Sequence, residues 1–175
     1  VILNARGQNE FWVLDHSTTT EEAKGHEGGK YGKGGDILYR WGNPAMYGGG
    51  TSKDQKLFLQ HDPQWIDEGM PGEGNIMIYN NGKGRGYSSV DEIIVPVDEN
   101  GVYPELSPGE AYGPPEQTWI FTAEPKEEMY STEISGASRL PNGNTLVCAG
   151  TVGRFLEVTP EKEIVWEYRN PSCGD

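Results

Sequence analysis

The sequence predicts an all-β chain organised as a partial β-propeller of about three four-stranded antiparallel blades. Three observations carry this. Twenty-five Gly and 12 Pro among 175 residues disfavour long helices and favour short strands joined by turns. Apolar runs of strand length recur along the chain, separated by polar segments rich in Gly and Pro. These runs repeat in one order: a strand, a glycine-containing turn with an Arg, a second strand, then an aromatic strand built around Trp.

The first copy reads VILNARGQNEFWVLDHS, with Arg6 in its turn, then the polar loop STTTEEAKGHEGGKYGKGG and the strand ILYRWGNP around Trp41. The second opens on LFLQHDPQWI, continues through GNIMIYNNGKGRGYSSVDEIIVPVDENG with Arg85, crosses the loop NGVYPELSPGEAYGPPE and ends on QTWIFTAEP around Trp119. The third runs from STEISGASRL through GNTLVCAGTVGRFLEVTPEKEIVWEY, with Arg154, to IVWEYRNP around Trp166. The expectation is a single propeller domain over 1–175, with blade parts at about 1–44, 56–125 and 129–171. In the second copy the strands are expected at 57–66, 75–79, 92–97 and 118–122 of one sheet, the first nearest the ring axis. The repeat puts Arg6, Arg85 and Arg154 in one slot and the three tryptophans in another, packed between strands or blades. A β-sandwich accounts for the number of strands but not for this recurrence.

A closed propeller takes roughly four to eight blades. Further blades, or other copies of the chain in a homo-oligomer, are therefore expected to complete the ring. The start VILNARG, without Met and already inside an apolar run, reads as a fragment or a processed chain.

Composition excludes several partners. A formal net charge of −13 argues against nucleic acid and anionic membrane surfaces, and an anionic small substrate needs a local cationic pocket. No run of 18 apolar residues is present, so no membrane insertion is expected. Cys148 and Cys173 allow one bridge or two separate thiols. GHEGGKY lacks the ending of a phosphate loop, GKGRG does not open a helix, and DENG lacks the further acids of a calcium loop. No His, Cys and carboxylate cluster has zinc spacing, so neither metal nor cofactor is expected.

One polar pair stands out. His61 and Asp62 interrupt the apolar run LFLQHDPQWI and align with Ser135 and Gly136 of the third copy, on the strand that opens each blade. Such a pair is costly in a packed core and tolerable facing a hydrated channel. A framework histidine, with Asp62 tying down a turn, is the plainer alternative. Asn80 and Asn81 read chiefly as turn residues, and His16 and His26 as surface residues of a loop.

The run QHDPQWI...GNIMIYNNGKGR resembles the segment around the sulfate-accepting histidine of bacterial arylsulfotransferases, and NARGQNEFWVLD is similar to that family's Arg-containing segment. GDILYRWGNP and LPNGNTLVCAG...GRFLEVTPEKEIVWEY are similar to blade ends of the same PQQ-like propellers. The resemblance implies a six-bladed propeller, periplasmic or extracellular. It implies sulfuryl transfer from an aryl sulfate to a phenol through a sulfohistidine, without a nucleotide sulfate donor. His61 is then the acceptor and Arg6 the charge stabiliser, with Arg85, Asn80 and Asp62 at the substrate. Histidine suits the role as nucleophile and later leaving group. Asp62 departs from the family's pattern, since a carboxylate there repels a sulfate. The competing reading is a non-catalytic propeller that binds or assembles.

Overall fold

The computed structural model describes residues 1–172; Cys173 lies outside them. The fold is all-β: eleven strands in three antiparallel sheets of three, four and four strands, with short 3-10 turns and no α-helix among the described residues. Among the described residues no helix is long and apolar enough to cross a membrane. The architecture is that of a partial propeller, and among the described residues no sheet closes on itself.

The chain forms two compact units. The first comprises Val1–Lys56 and Pro96–Pro115. Its sheet consists of β1 (Ile2–Ala5), β2 (Glu10–Leu14) and β3 (Ile37–Trp41), in that order. Alternation of the β2 and β3 side chains buries Phe11, Val13, Tyr39 and Trp41 on the sheet, and the long loop covers them. Tyr39 donates its hydroxyl to the Gly113 carbonyl at 2.8 Å, and Trp41 Nε1 donates to the Pro114 carbonyl at 2.8 Å. The polar insertion is thus held by aromatic side chains with a polar tip.

The second unit comprises Leu57–Val95 and the chain from Glu116 onward. It holds two blades. One is β4 (His61–Trp65), β5 (Ile76–Asn80), β6 (Ser89–Ile93) and β7 (Trp119–Phe121). The other is β8 (Ser135–Arg139), β9 (Thr145–Ala149), β10 (Arg154–Val158) and β11 (Ile164–Arg169). Met77, Tyr79, Val90 and Phe121 of the first blade pack against Ala137, Val147, Ala149, Leu156 and Val158 of the second to form the core. Arg139 reaches across to ion-pair with Glu92, and Trp119 Nε1 donates to the Pro160 carbonyl at 2.9 Å.

The four expected strands of the second copy are consecutive in one sheet, with two boundary corrections. The first strand begins only at His61, because Leu59 adopts a left-handed backbone (φ 55°) and breaks the extended run. The third is Ser89–Ile93, not 92–97, because pairing with β5 already runs from Ser89 to Ile93 and Pro96 cannot donate to a ladder.

The register also corrects both repeat slots. The hairpin-closing pairs Ala5↔Glu10, Asn80↔Ser89 and Ala149↔Arg154 are equivalent. Arg154 therefore matches Glu10, not Arg6: Glu10 ion-pairs with Arg40, and Arg154 with Glu167, the same bridge with its charges exchanged. Trp119 and Trp166 are equivalent to each other and to Tyr39, whereas Trp41 matches Phe121 and Tyr168. Each last strand thus carries an aromatic-x-aromatic pair. Trp166, 48% exposed and stacked on Tyr168, is not buried between strands, because β11 is an edge strand with every residue exposed.

Candidate functional site

The first residue of β4 and the first residue after β5 stand side by side. His61 pairs with Tyr79 across the two strands, and its Nδ1 lies 2.7 Å from Asn81 Oδ1. Asn81 is fully buried, and its Nδ2 donates to the Ser131 carbonyl at 2.7 Å and to Ser135 Oγ at 3.4 Å. That leaves Oδ1, which can only accept, facing the imidazole. Nδ1 therefore carries the ring proton, and in the neutral ring Nε2 keeps its lone pair.

Asn81 is itself anchored through its main chain and through the groups its carboxamide meets. Ser88 Oγ donates to the Asn81 carbonyl at 2.8 Å and accepts the Ser131 N–H at 3.0 Å. Ser135 Oγ donates to Ser131 Oγ at 2.8 Å, and Thr151 adds its N–H to the same oxygen at 2.9 Å. A buried polar chain with every member bonded rigidifies what it holds.

Backbone geometry around the histidine is unusual. Leu59 and Asp62, with φ of 55° and 56°, both sit in the left-handed region and flank Gln60 and His61. A leucine there carries strain of about 1–3 kcal/mol. The ladder with β5 shifts register between His61 and Gln64, whereas β8 pairs with β9 without interruption. This bulge re-aims Asp62 toward β8, where its carboxylate lies against Gly136 and accepts from Gln64 Nε2 at 2.8 Å. Gln64 Nε2 also donates to the Ala137 carbonyl at 2.9 Å. Asp62 as a residue is exposed, yet the adjoining strands remove enough water from its carboxyl to push it above the ordinary carboxylate range. That desolvation outweighs the opposing Ala137 N–H, Gln64 and His61. Cys148, half-buried opposite Gly136, is pushed up by burial and then by the charge of Asp62.

The other candidates lie elsewhere. Asn80 is fully buried; its Oδ1 accepts the Phe58 N–H at 2.9 Å and its Nδ2 donates to Asp91 at 2.9 Å, joining the loop before β4 to β6. Arg85 is bound within its turn, donating to the Tyr87 carbonyl at 3.0 Å and to Ser89 Oγ at 2.6 Å, over the Tyr87 ring. Gly82 makes room for this, since a Cβ there would meet the Tyr87 carbonyl oxygen. Arg6 belongs to the first unit, opens a 3-10 turn closed by left-handed Asn9, and its Nε is buried without a hydrogen-bond partner. His16 and His26 are exposed, the latter bonded to Asp36 at 2.7 Å. Among the described residues no three His, Cys, Asp or Glu side chains are placed to hold a metal.

Asn81 is the residue that sequence reasoning undervalued. By register it follows the second strand at the position Arg6 and Gly150 take in their sheets, next to the residue that opens the first strand. Its place beside His61 is legible only once β4 and β5 are paired.

The family model described as Arylsulfotransferase (ASST) matches residues 50–172. No curated protein matches the chain.

Proposed function

The chain belongs to the arylsulfotransferase family, and from that premise we propose that it moves a sulfuryl group from an aryl sulfate to a phenol through His61. The observation that carries this reading is the hydrogen bond from His61 Nδ1 to Asn81 Oδ1, because it leaves Nε2 as the ring's electron-pair donor. In the first half-reaction Nε2 attacks the donor's sulfur; the N–S bond forms and the bond from sulfur to the aryl oxygen breaks. The aryl oxide leaves with the electron pair. In the second, the acceptor oxygen attacks the same sulfur, and the N–S pair returns to Nε2.

A fixed tautomer and a fixed ring plane serve both halves, as nucleophile and as leaving group. Negative charge spreads over the transferring oxygens and calls for a cation. Arg85, in the same unit as His61, already has its guanidinium bonded to the Tyr87 carbonyl and Ser89 Oγ, and the cation that the family resemblance names, Arg6, belongs to the other unit. Asn80 supports the loop that leads into His61.

Steady-state kinetics with 4-nitrophenyl sulfate and phenol test the proposal. Parallel double-reciprocal lines, the pattern of a ping-pong reaction, are expected, with turnover lost in His61→Ala. Intersecting lines with full activity in His61→Ala would replace it with direct transfer.

A further inference from the structure

Sulfuryl transfer between phenols needs a proton carrier as well as a nucleophile. An ordinary aryl oxide leaves more readily if it is protonated as it departs, and an acceptor phenol attacks better if its proton is removed. We propose that Asp62 is that carrier, a catalytic acid in the first half-reaction and a catalytic base in the second; this rests on the His61 reading above.

Three structural observations favour it. Asp62 is the immediate neighbour of His61, and the bulge that aims it belongs to the His61 strand alone among the two blade-opening strands. Its backbone sits in the left-handed region, off the extended path of the strand. Its carboxyl occupies the space a side chain at position 136 would fill, so the glycine on β8 leaves room for it. The titratable groups facing it among the described residues are His61 on its own strand and Cys148 on β9; β8 offers only the Gly136 and Ala137 backbone and Ser138.

The cycle balances. Asp62 begins protonated. It gives its proton to the departing aryl oxygen as the N–S bond forms on His61, leaving a carboxylate beside the sulfohistidine. The acceptor phenol then loses its proton to that carboxylate as its oxygen bonds to sulfur, and both residues return to their starting state. Burial pushes the Asp62 carboxyl upward, the direction this order needs.

Asp62→Asn separates this role from folding, since Asn enters the left-handed region readily and can still accept from Gln64. The test is rapid-quench loading of His61 by two donors: 4-nitrophenyl sulfate, whose leaving group needs no proton, and phenyl sulfate, whose leaving group does. The expected result is loading within about 2-fold of wild type for the first and a loss of roughly 100-fold for the second, with discharge to phenol slowed similarly. Gly136→Ala, which keeps the carboxyl but displaces it, should fall with phenyl sulfate in the same direction. Equal effects on both donors, or none on either, would overturn the role of Asp62 and leave the His61 reading standing. A wild-type protein that is not loaded at His61 by either donor would overturn both.

Discussion

His61 and Asn81 are joined by a 2.7 Å hydrogen bond from imidazole Nδ1 to carboxamide Oδ1, and the same carboxamide donates to the Ser131 carbonyl at 2.7 Å. The second bond fixes the direction of the first. Asn81→Ala should free the ring and allow the other tautomer, lowering sulfuryl transfer by roughly 100-fold. It also strips partners from a buried site, at about 1–3 kcal/mol. Rates compared with denaturation midpoints separate the two effects: transfer should fall even at temperatures where the variant is fully folded.

Arg139 and Glu92 form the ion pair that bridges the two blades of the second unit, with side chains only 5% and 9% exposed. Removing one partner leaves a buried charge uncompensated. Arg139→Ala should cost about 3–5 kcal/mol in chemical denaturation. The double variant Arg139→Met, Glu92→Leu should recover a substantial part, which a surface pair would not show.

Aromatic residues of the last strands should differ sharply in weight. Phe121 is 3% exposed in the core between blades, so Phe121→Ala should cost about 3–5 kcal/mol. Trp166, 48% exposed on the edge strand, should cost well below that range. Equal losses in thermal melts would contradict the described burial.

Acid should loosen the outer strands. Hydrogen bonding to Arg169 holds the Glu128 carboxyl below its ordinary range, and hydrogen bonding to Arg154 does the same for Glu167. The folded state therefore binds fewer protons there than the unfolded state. The resulting stability is present above the ordinary glutamate range and is lost as pH falls through the lowered values. The gap in melting temperature between wild type and Arg154→Gln should accordingly narrow as pH falls below that range.

Much of the fold was legible because alternation and turn chemistry are local. LFLQHDPQWI and STEISGASRL align so that His61 and Ser135 both open their strands. What failed depended on register. Arg6, Arg85 and Arg154 share a turn by eye, yet pairing puts Arg154 level with Glu10, because Arg6 directly follows its strand whereas Arg154 already opens the returning one, and Arg85 lies within a longer turn. The burial of Trp166 was misjudged for a related reason: strand composition does not say which strand lies at the edge. His61 could be singled out from its apolar surroundings, but the orientation of its ring is set by Asn81, Ser131 and Ser135, far apart in sequence. The left-handed backbone at Leu59 leaves no mark in the residue type, since leucine is a poor choice for it.

The most direct test of the central claim is the mass of the peptide containing LFLQHDPQWI after the protein is treated with 4-nitrophenyl sulfate alone. The account requires the mass of one sulfuryl group on that peptide, fragmentation assigning it to His61, release on addition of phenol, and no label in His61→Ala. An unmodified peptide in a protein that still transfers sulfate, or a label that persists elsewhere in His61→Ala, would contradict it.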